Sequence, residues 1–271
     1  MKSTHTHKAK KSFGQNFLQD QNIIARIIQQ AHICPDDHVI EIGPGLGALS
    51  APVLSITRRL DVIEFDADVI PILKHKCQSL GQLNVYHQDV LKTDFTTFVG
   101  ENTKKIKLIG NLPYNISSPI LFHLVSYAHL FRDMHFMLQK EVVDRIVANP
   151  GNKDYGRLSV MLQYYFDCQA LFIVPPHVFH PQPKVDSCII RLVPRALITP
   201  VASDVALFEK VVKTAFSQRR KTLRNTLKPL LTPELDVGLL PIDLSLRAEN
   251  LSVADFVHLS NVIGKKTCLA T

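Results

Sequence analysis

An α/β fold with a mostly parallel sheet, followed by a small all-helical domain, is predicted by three features of this 271-residue chain. Short apolar runs alternate with segments of helical spacing from Gln21 to about Val193, a β-α-β rhythm that places helices on both faces of the sheet. Four of those runs are each followed closely by a polar residue. Beyond Pro194 the strand signals stop and helical periodicity takes over. The expected divisions are an N-terminal tail over 1–20, a sheet domain over 21–195 and a helical domain over 196–271.

The elements follow in order. Residues Ile23, Ile24, Ile27, Ile28 and Ala31 recur at helical spacing and predict a first helix from Gln21. Strands are predicted at HVIEIG, RLDVIEF, LNVYHQD, KIKLIGN and MHFMLQ. Helices fall between them from about Leu46, through Ile70 and Leu73, and over Pro119–Tyr127. After the turn NPGNKDYG and a mixed segment, ALFIV and SCIIRLV suit an antiparallel closing edge. Ser203 starts a long helical pattern, and Ser252-Val253-Ala254-Asp255 has the spacing of a capping box before a final helix.

Bulk properties narrow the function. No apolar run reaches the ~18 residues needed to cross a bilayer. The basic N-terminus lacks the apolar stretch of a secretory signal and is not read as one. The scattered cysteines at 34, 77, 168, 188 and 268 have no CxxC spacing, which argues against a disulfide framework or zinc site and for a reducing cytoplasm; no metal is expected. His5 and His7 read as part of a tail. A net charge of +7 favours an anionic partner, nucleic acid first.

The polar residues after the strands are more specific, because ligands of open parallel sheets bind outside the carboxyl ends of the strands. The first strand leads into Glu41-Ile42-Gly43-Pro44-Gly45-Leu46-Gly47, whose glycines permit a tight turn and close ligand approach. Glu64 follows at the next strand end, where an acid accepts hydrogen bonds from a ribose diol. Asp89 and Asn111 follow at two more. Together they describe an adenosine-containing cofactor. Gly43, Gly45 and Ala48 also fit a dinucleotide pattern, so NAD is a rival. Glu41 counts against it, because a carboxylate repels a pyrophosphate and suits a cationic ligand, and Asp89 suits an adenine amine. S-adenosylmethionine meets these demands. Without a ligand, the glycines are a strand-to-helix turn and Glu64 and Asp89 are helix caps.

In LIGNLPYNISSPIL the fourth strand breaks at Asn111-Leu112-Pro113-Tyr114. An adenine N6 amine is a poor nucleophile, since its lone pair is delocalised into the ring. Two acceptors aimed at its two N–H groups counter this and stabilise charge developing on nitrogen. Asn111 offers its side-chain oxygen and Leu112 its carbonyl, while Pro113 stiffens the loop. Tyr114 offers a stacking face for an extruded base, worth roughly 1–3 kcal/mol. Alternatively, this is a proline turn with Tyr114 in the core.

A basic span without acids runs from Lys213 to Lys228. Helical spacing puts Arg220 and Arg224 on one face with Lys221 and Lys228 beside it and Arg219 adjacent; Val212, Phe216, Leu223 and Leu227 form an apolar stripe. Such a face suits RNA phosphates, with Lys8, Lys10 and Lys11 adding to it, or is simply solvated.

Seven ordered motifs extend these signals: GQNFLQD (14–20), VIEIGPGLGALS (39–50), GNLPYNISSPIL (110–121), QKEV (139–142), PGNKDYGRLSV (150–160), VPPHVFHPQPKVDS (174–187) and FSQRRKTLRNTLK (216–228). This set resembles the ribosomal RNA adenine dimethyltransferases, most closely their bacterial small-subunit branch, over nearly the whole chain. The resemblance implies a Rossmann-like S-adenosylmethionine-dependent methyltransferase fold. It implies N6,N6-dimethylation of two adjacent adenines near the 3′ end of small-subunit rRNA, in a pre-assembled 30S particle. It also implies that Asn16 and Leu18 lie over the cofactor as a lid. Gly43, Glu64, Asp89 and Asn111 would line its pocket. Phe179 would pack on the target base opposite Tyr114, with Lys184 and Asp186 orienting that loop. A monomer is expected. The rivals are the large-subunit methyltransferase conferring macrolide resistance and a non-catalytic ribosome-assembly or transcription factor of the same fold.

Overall fold

The structure, a computed structural model, describes residues 10, 14–100, 104–231, 240 and 242–267. His5, His7, Lys8, Lys11 and Cys268 lie outside the described residues. The chain forms two compact units. One runs through Val143 and resumes over Asp167–Pro194; the other takes Asp144–Phe166 together with the chain from Arg195. The helical unit is therefore discontinuous in sequence, and the segment 144–166 belongs to it, where the sequence pattern had grouped it with the sheet.

The elements are β1 (Phe17–Leu18), α1 (Gln21–Ala31), β2 (Val39–Ile42), α2 (Ser50–Thr57), β3 (Arg59–Glu64), α3 (Ile70–Cys77), β4 (Gln82–His87), β5 (Ile106–Asn111), α4 (Ser117–Val125) and β6 (Phe131–Gln139). Then come α5 (Lys140–Val147), α6 (Arg157–Tyr165), β7 (Phe166–Val174), β8 (Phe179–His180), β9 (Ser187–Pro194), α7 (Val205–Ala215), α8 (Leu223–Thr226) and α9 (Val253–Thr267). Helix α1 starts where the Asp20 carboxylate accepts from the N–H groups of Asn22 and Ile23. At this length an isolated helix is marginal, so burial of Ile24, Ile27 and Ala31 is what holds it. Helix α9 carries the expected box: Ser252 N–H donates to Asp255 and Asp255 N–H donates back to Ser252 Oγ. The helix expected from Ser203 begins at Val205, because Asp204 caps it.

The main sheet has the order β4-β3-β2-β5-β6-β9-β7. Strands β4, β3, β2, β5 and β6 are parallel neighbours, and β9 joins β6 antiparallel, as the sequence led us to expect of its closing edge. Side chains alternate across a strand, so the register determines which of them share a face. Glu41 pairs with Val62 and with Ile109; two residues further along β3 and β5 stand Glu64 and Asn111. Glu41, Glu64 and Asn111 therefore share one face. It carries the apolar cluster of Val39, Val62, Ile109, Met137 and Ile189, packed against Ile24 and Ile27 of α1. Residues of opposite parity, Ile40, Ile42, Ile63 and Leu108, are equally buried, as a sheet covered on both sides requires. Among the described residues no helix is long and apolar enough to cross a membrane.

In the helical unit, α7 stops at Ala215 and α8 spans only Leu223–Thr226. Arg220 and Arg224 therefore do not share a helical face. The continuous helix fails because the N–H groups of Leu223 and Arg224 donate to the carbonyls of Leu246 and Leu244, and Thr222 bridges Arg247. Arg219, Arg220, Lys221, Arg224 and Lys228 are nonetheless all exposed. Arg219 Nε stands 3.7 Å from Glu249 Oε2.

Candidate active site

A cavity of about 580 Å³ opens at the carboxyl ends of β2, β3, β4 and β5, within the size range of sites for cofactors and other small molecules. Asn16, Leu18, Glu41, Gly43, Gly45, Glu64, Asp89 and the run Asn111-Leu112-Pro113-Tyr114 all line it. Gly47 and Phe179 are not part of the lining.

Two acids dominate its floor. Glu41 is 2% exposed and accepts a hydrogen bond of 2.5 Å from Ser50 Oγ. Burial pushes its carboxyl up to about 8, and the neighbouring Glu64 adds to the rise. Glu64 accepts from Gly45 N–H at 3.1 Å on one oxygen and from Asp66 N–H at 2.8 Å on the other. Burial still lifts it above the ordinary carboxylate range. Two desolvated acids at one end of a cavity disfavour a phosphate and favour a cation with hydroxyl donors. The donor set thus fits S-adenosylmethionine: a sulfonium and ammonium for Glu41 to offset, and a ribose diol for the remaining lone pairs of Glu64. Asp89 follows β4 and caps the short turn Val90–Lys92, one oxygen accepting from Leu91 N–H at 2.9 Å. Asp89 is thus a cap, and among the described residues no hydrogen bond ends on its second carboxylate oxygen.

The break after β5 makes a second set of acceptors. Leu112 N–H still donates to Met137 O, so the sheet holds the loop up to the point of the break. The Asn111 amide nitrogen donates to the backbone carbonyl of Asn16 at 2.9 Å. That bond orients the amide and leaves Oδ1 as its acceptor. Among the described residues no hydrogen bond ends on the Leu112 carbonyl. Tyr114 is half-buried at the cavity wall, and its hydroxyl shares a 2.6 Å hydrogen bond with Ser187 Oγ. Its ring is therefore neither core nor free.

The segment before α1 closes one side. Strand β1 pairs antiparallel with β8, Leu18 opposite Phe179. Gly45 adopts φ +52°, and a Cβ there would stand 2.9 Å from the Phe17 ring, so only glycine lets the segment lie this close. Lys10 Nζ contacts Asp66 and Asp68, each at 2.6 Å, and Gln15 donates to Asp66 at 2.7 Å. Sequence reasoning missed Gln15, Asp66 and Ser187. It also missed Phe65, whose 59% exposed ring lines the cavity beside Glu64. An aromatic directly after the strand-end acid was the available signal for Phe65; the other three have no local one.

Phe179 is 4% exposed, pairs with Leu18 and belongs to the apolar cluster with Met137 and Ile189. Gly47, at φ +73°, serves the turn: a Cβ there would lie 2.8 Å from Leu73 Cδ1.

The model of the ribosomal RNA adenine dimethylase family matches residues 6–265. The chain is 55% identical over 257 residues to the ribosomal RNA small subunit methyltransferase A of Francisella tularensis subsp. novicida, covering 94% of this chain and 98% of that protein. Among solved structures it is similar to a dimethyladenosine transferase from Plasmodium falciparum, with TM-score 0.76 and 28% identity, over 93% of this chain and 98% of that one. It is also similar to the 23S rRNA methyltransferase ErmE, with TM-score 0.68 and 25% identity, over 92% and 100% of the two chains.

Proposed function

The chain belongs to the ribosomal RNA adenine dimethylase family, and from that premise we propose that it dimethylates N6 of two adjacent adenines near the 3′ end of small-subunit (16S) rRNA in a pre-assembled 30S particle. The reaction contributes to ribosome biogenesis in the cytoplasm. The observation that carries the reading is a pair of acceptors without a hydrogen-bond donor among the described residues, Asn111 Oδ1 and the Leu112 carbonyl, beside two buried acids in one cavity.

S-adenosylmethionine, when bound, supplies an electrophilic methyl group on its sulfonium. Glu41 offsets the cationic end, Glu64 accepts from the ribose, Asp89 accepts from the adenine amine, and Asn16 and Leu18 exclude water from above. Asn111 and Leu112 hold the target amine by both N–H groups and stabilise positive charge as it develops there. An amide is too weak a base to take the proton, which leaves to solvent after transfer. Tyr114 supports the extruded base. The chemistry calls for neither a Lewis acid nor a metal-bound water, and the protein works as a monomer. Arg219, Arg220, Lys221, Arg224 and Lys228 meet RNA phosphates, which position the particle without reading its sequence.

High identity to a small-subunit enzyme supports this target over large-subunit rRNA, since the likeness to the 23S enzyme is far weaker. The acids at the cavity floor disfavour NAD, and those two acceptors disfavour a purely architectural role. Incubation with radiolabelled methyl donor and undermethylated small subunits, followed by nucleoside analysis, tests the reading. N6,N6-dimethyladenosine in the 3′-terminal fragment is expected; label in large-subunit RNA alone, or none, overturns it.

A further inference from the structure

Ser187 has 0% exposure and is the first residue of β9. Because β9 runs antiparallel to β6, its first residue and not its last lies at the ligand edge of the sheet. It pairs with Gln139, and by strand parity it shares the face that carries Asn111. Its backbone is anchored next door, where Lys140 N–H donates to the carbonyl of Asp186. Tyr114 hangs from a proline-stiffened loop, so its remaining freedom is that of its side chain. Burial keeps the phenol above its usual range, so the group stays protonated and the bond to Ser187 persists at working pH. Stacking a base needs only a ring. A hydroxyl with a rigid, buried partner adds an orientation.

We propose that Ser187 is a positioning residue for methyl transfer: by holding the Tyr114 hydroxyl it sets the plane of the ring on which the target adenine stacks, and so the place of that adenine's amine relative to Asn111 and Leu112. This rests on the function assigned above. It predicts a pattern that a merely structural serine would not produce. Ser187→Ala and Tyr114→Phe each lower kcat on small subunits about tenfold, the worth of one hydrogen bond near the upper end of the usual range. The double variant is no slower than the slower single one, because both remove the same bond. Affinity for S-adenosylmethionine stays at the wild-type value, and Ser187→Thr, which keeps a hydroxyl, recovers most of the rate.

Wild-type kcat in Ser187→Ala, multiplicative effects in the double variant, or a fall in cofactor affinity in step with kcat would each overturn the proposal. If the wild-type protein transfers no methyl to small subunits, the assigned function itself fails. If wild type is active, Tyr114→Ala is crippled and Ser187→Ala is normal, only the positioning role fails.

Discussion

At the scale of single residues, the site is defined by acids that burial has made reluctant to ionise. Glu41 illustrates the sign. In the unfolded chain it ionises near 4.5, whereas in the fold it holds its proton to about 8. The folded state thus binds more protons between those values, and stability falls as pH rises through that window, the loss being complete above about 8. A bound cation reverses the preference, so cofactor binding expels a proton and affinity climbs with pH toward 8. Calorimetry in buffers of different protonation enthalpy should detect that proton, and Glu41→Gln should flatten both dependences. A flat profile in the wild-type protein would place the cation elsewhere. Glu64→Ala removes the acceptor assigned to the ribose and strands the Gly45 and Asp66 N–H groups, so affinity for S-adenosylmethionine should drop roughly 10- to 100-fold. Unchanged binding in a titration would take Glu64 out of that role.

At the scale of elements, the segment over the cavity is too short to hold itself. A two-residue strand such as β1 has no independent stability, and its pairing with β8 is supplemented by polar fastenings. The Asp66 carboxylate receives both Lys10 and Gln15, while its own N–H fixes Glu64. One loop therefore fastens the segment before α1 and orients Glu64. That segment in turn orients the Asn111 amide, through the Asn16 carbonyl. Asp66→Ala should speed amide exchange at Phe17 and Leu18, leave β2 and β5 protected, and weaken cofactor binding several-fold. Exchange unaltered at Phe17 and Leu18 would mean that β8 alone secures the segment. The helix capped by Ser252 and Asp255 was legible because capping is local chemistry. The unbroken basic helix was not, because Leu223 and Arg224 give their N–H groups to Leu246 and Leu244, well beyond the reach of any local pattern.

At the scale of the whole molecule, the surplus of positive charge is the feature that composition reports directly. Reversing Arg220 and Arg224 together should weaken binding to small subunits and lower the slope of log affinity against log salt by about 0.7–0.9 for each phosphate left without its cation. Filter binding across a salt series measures both, and an unaltered slope would make that surface merely solvated. The order of strands and helices, the glycine turn, and the placement of Glu64, Asp89 and Asn111 at or just past strand ends were determined by the sequence alone, since periodicity and turn chemistry act over a few neighbouring residues. Which side chains share a face was decided only by the tertiary structure. Strand register brings Glu41, Glu64 and Asn111 together, carries Ser187 to Tyr114 and sets Phe179 opposite Leu18. Register is settled by packing between strands far apart in the chain, and no local pattern encodes it.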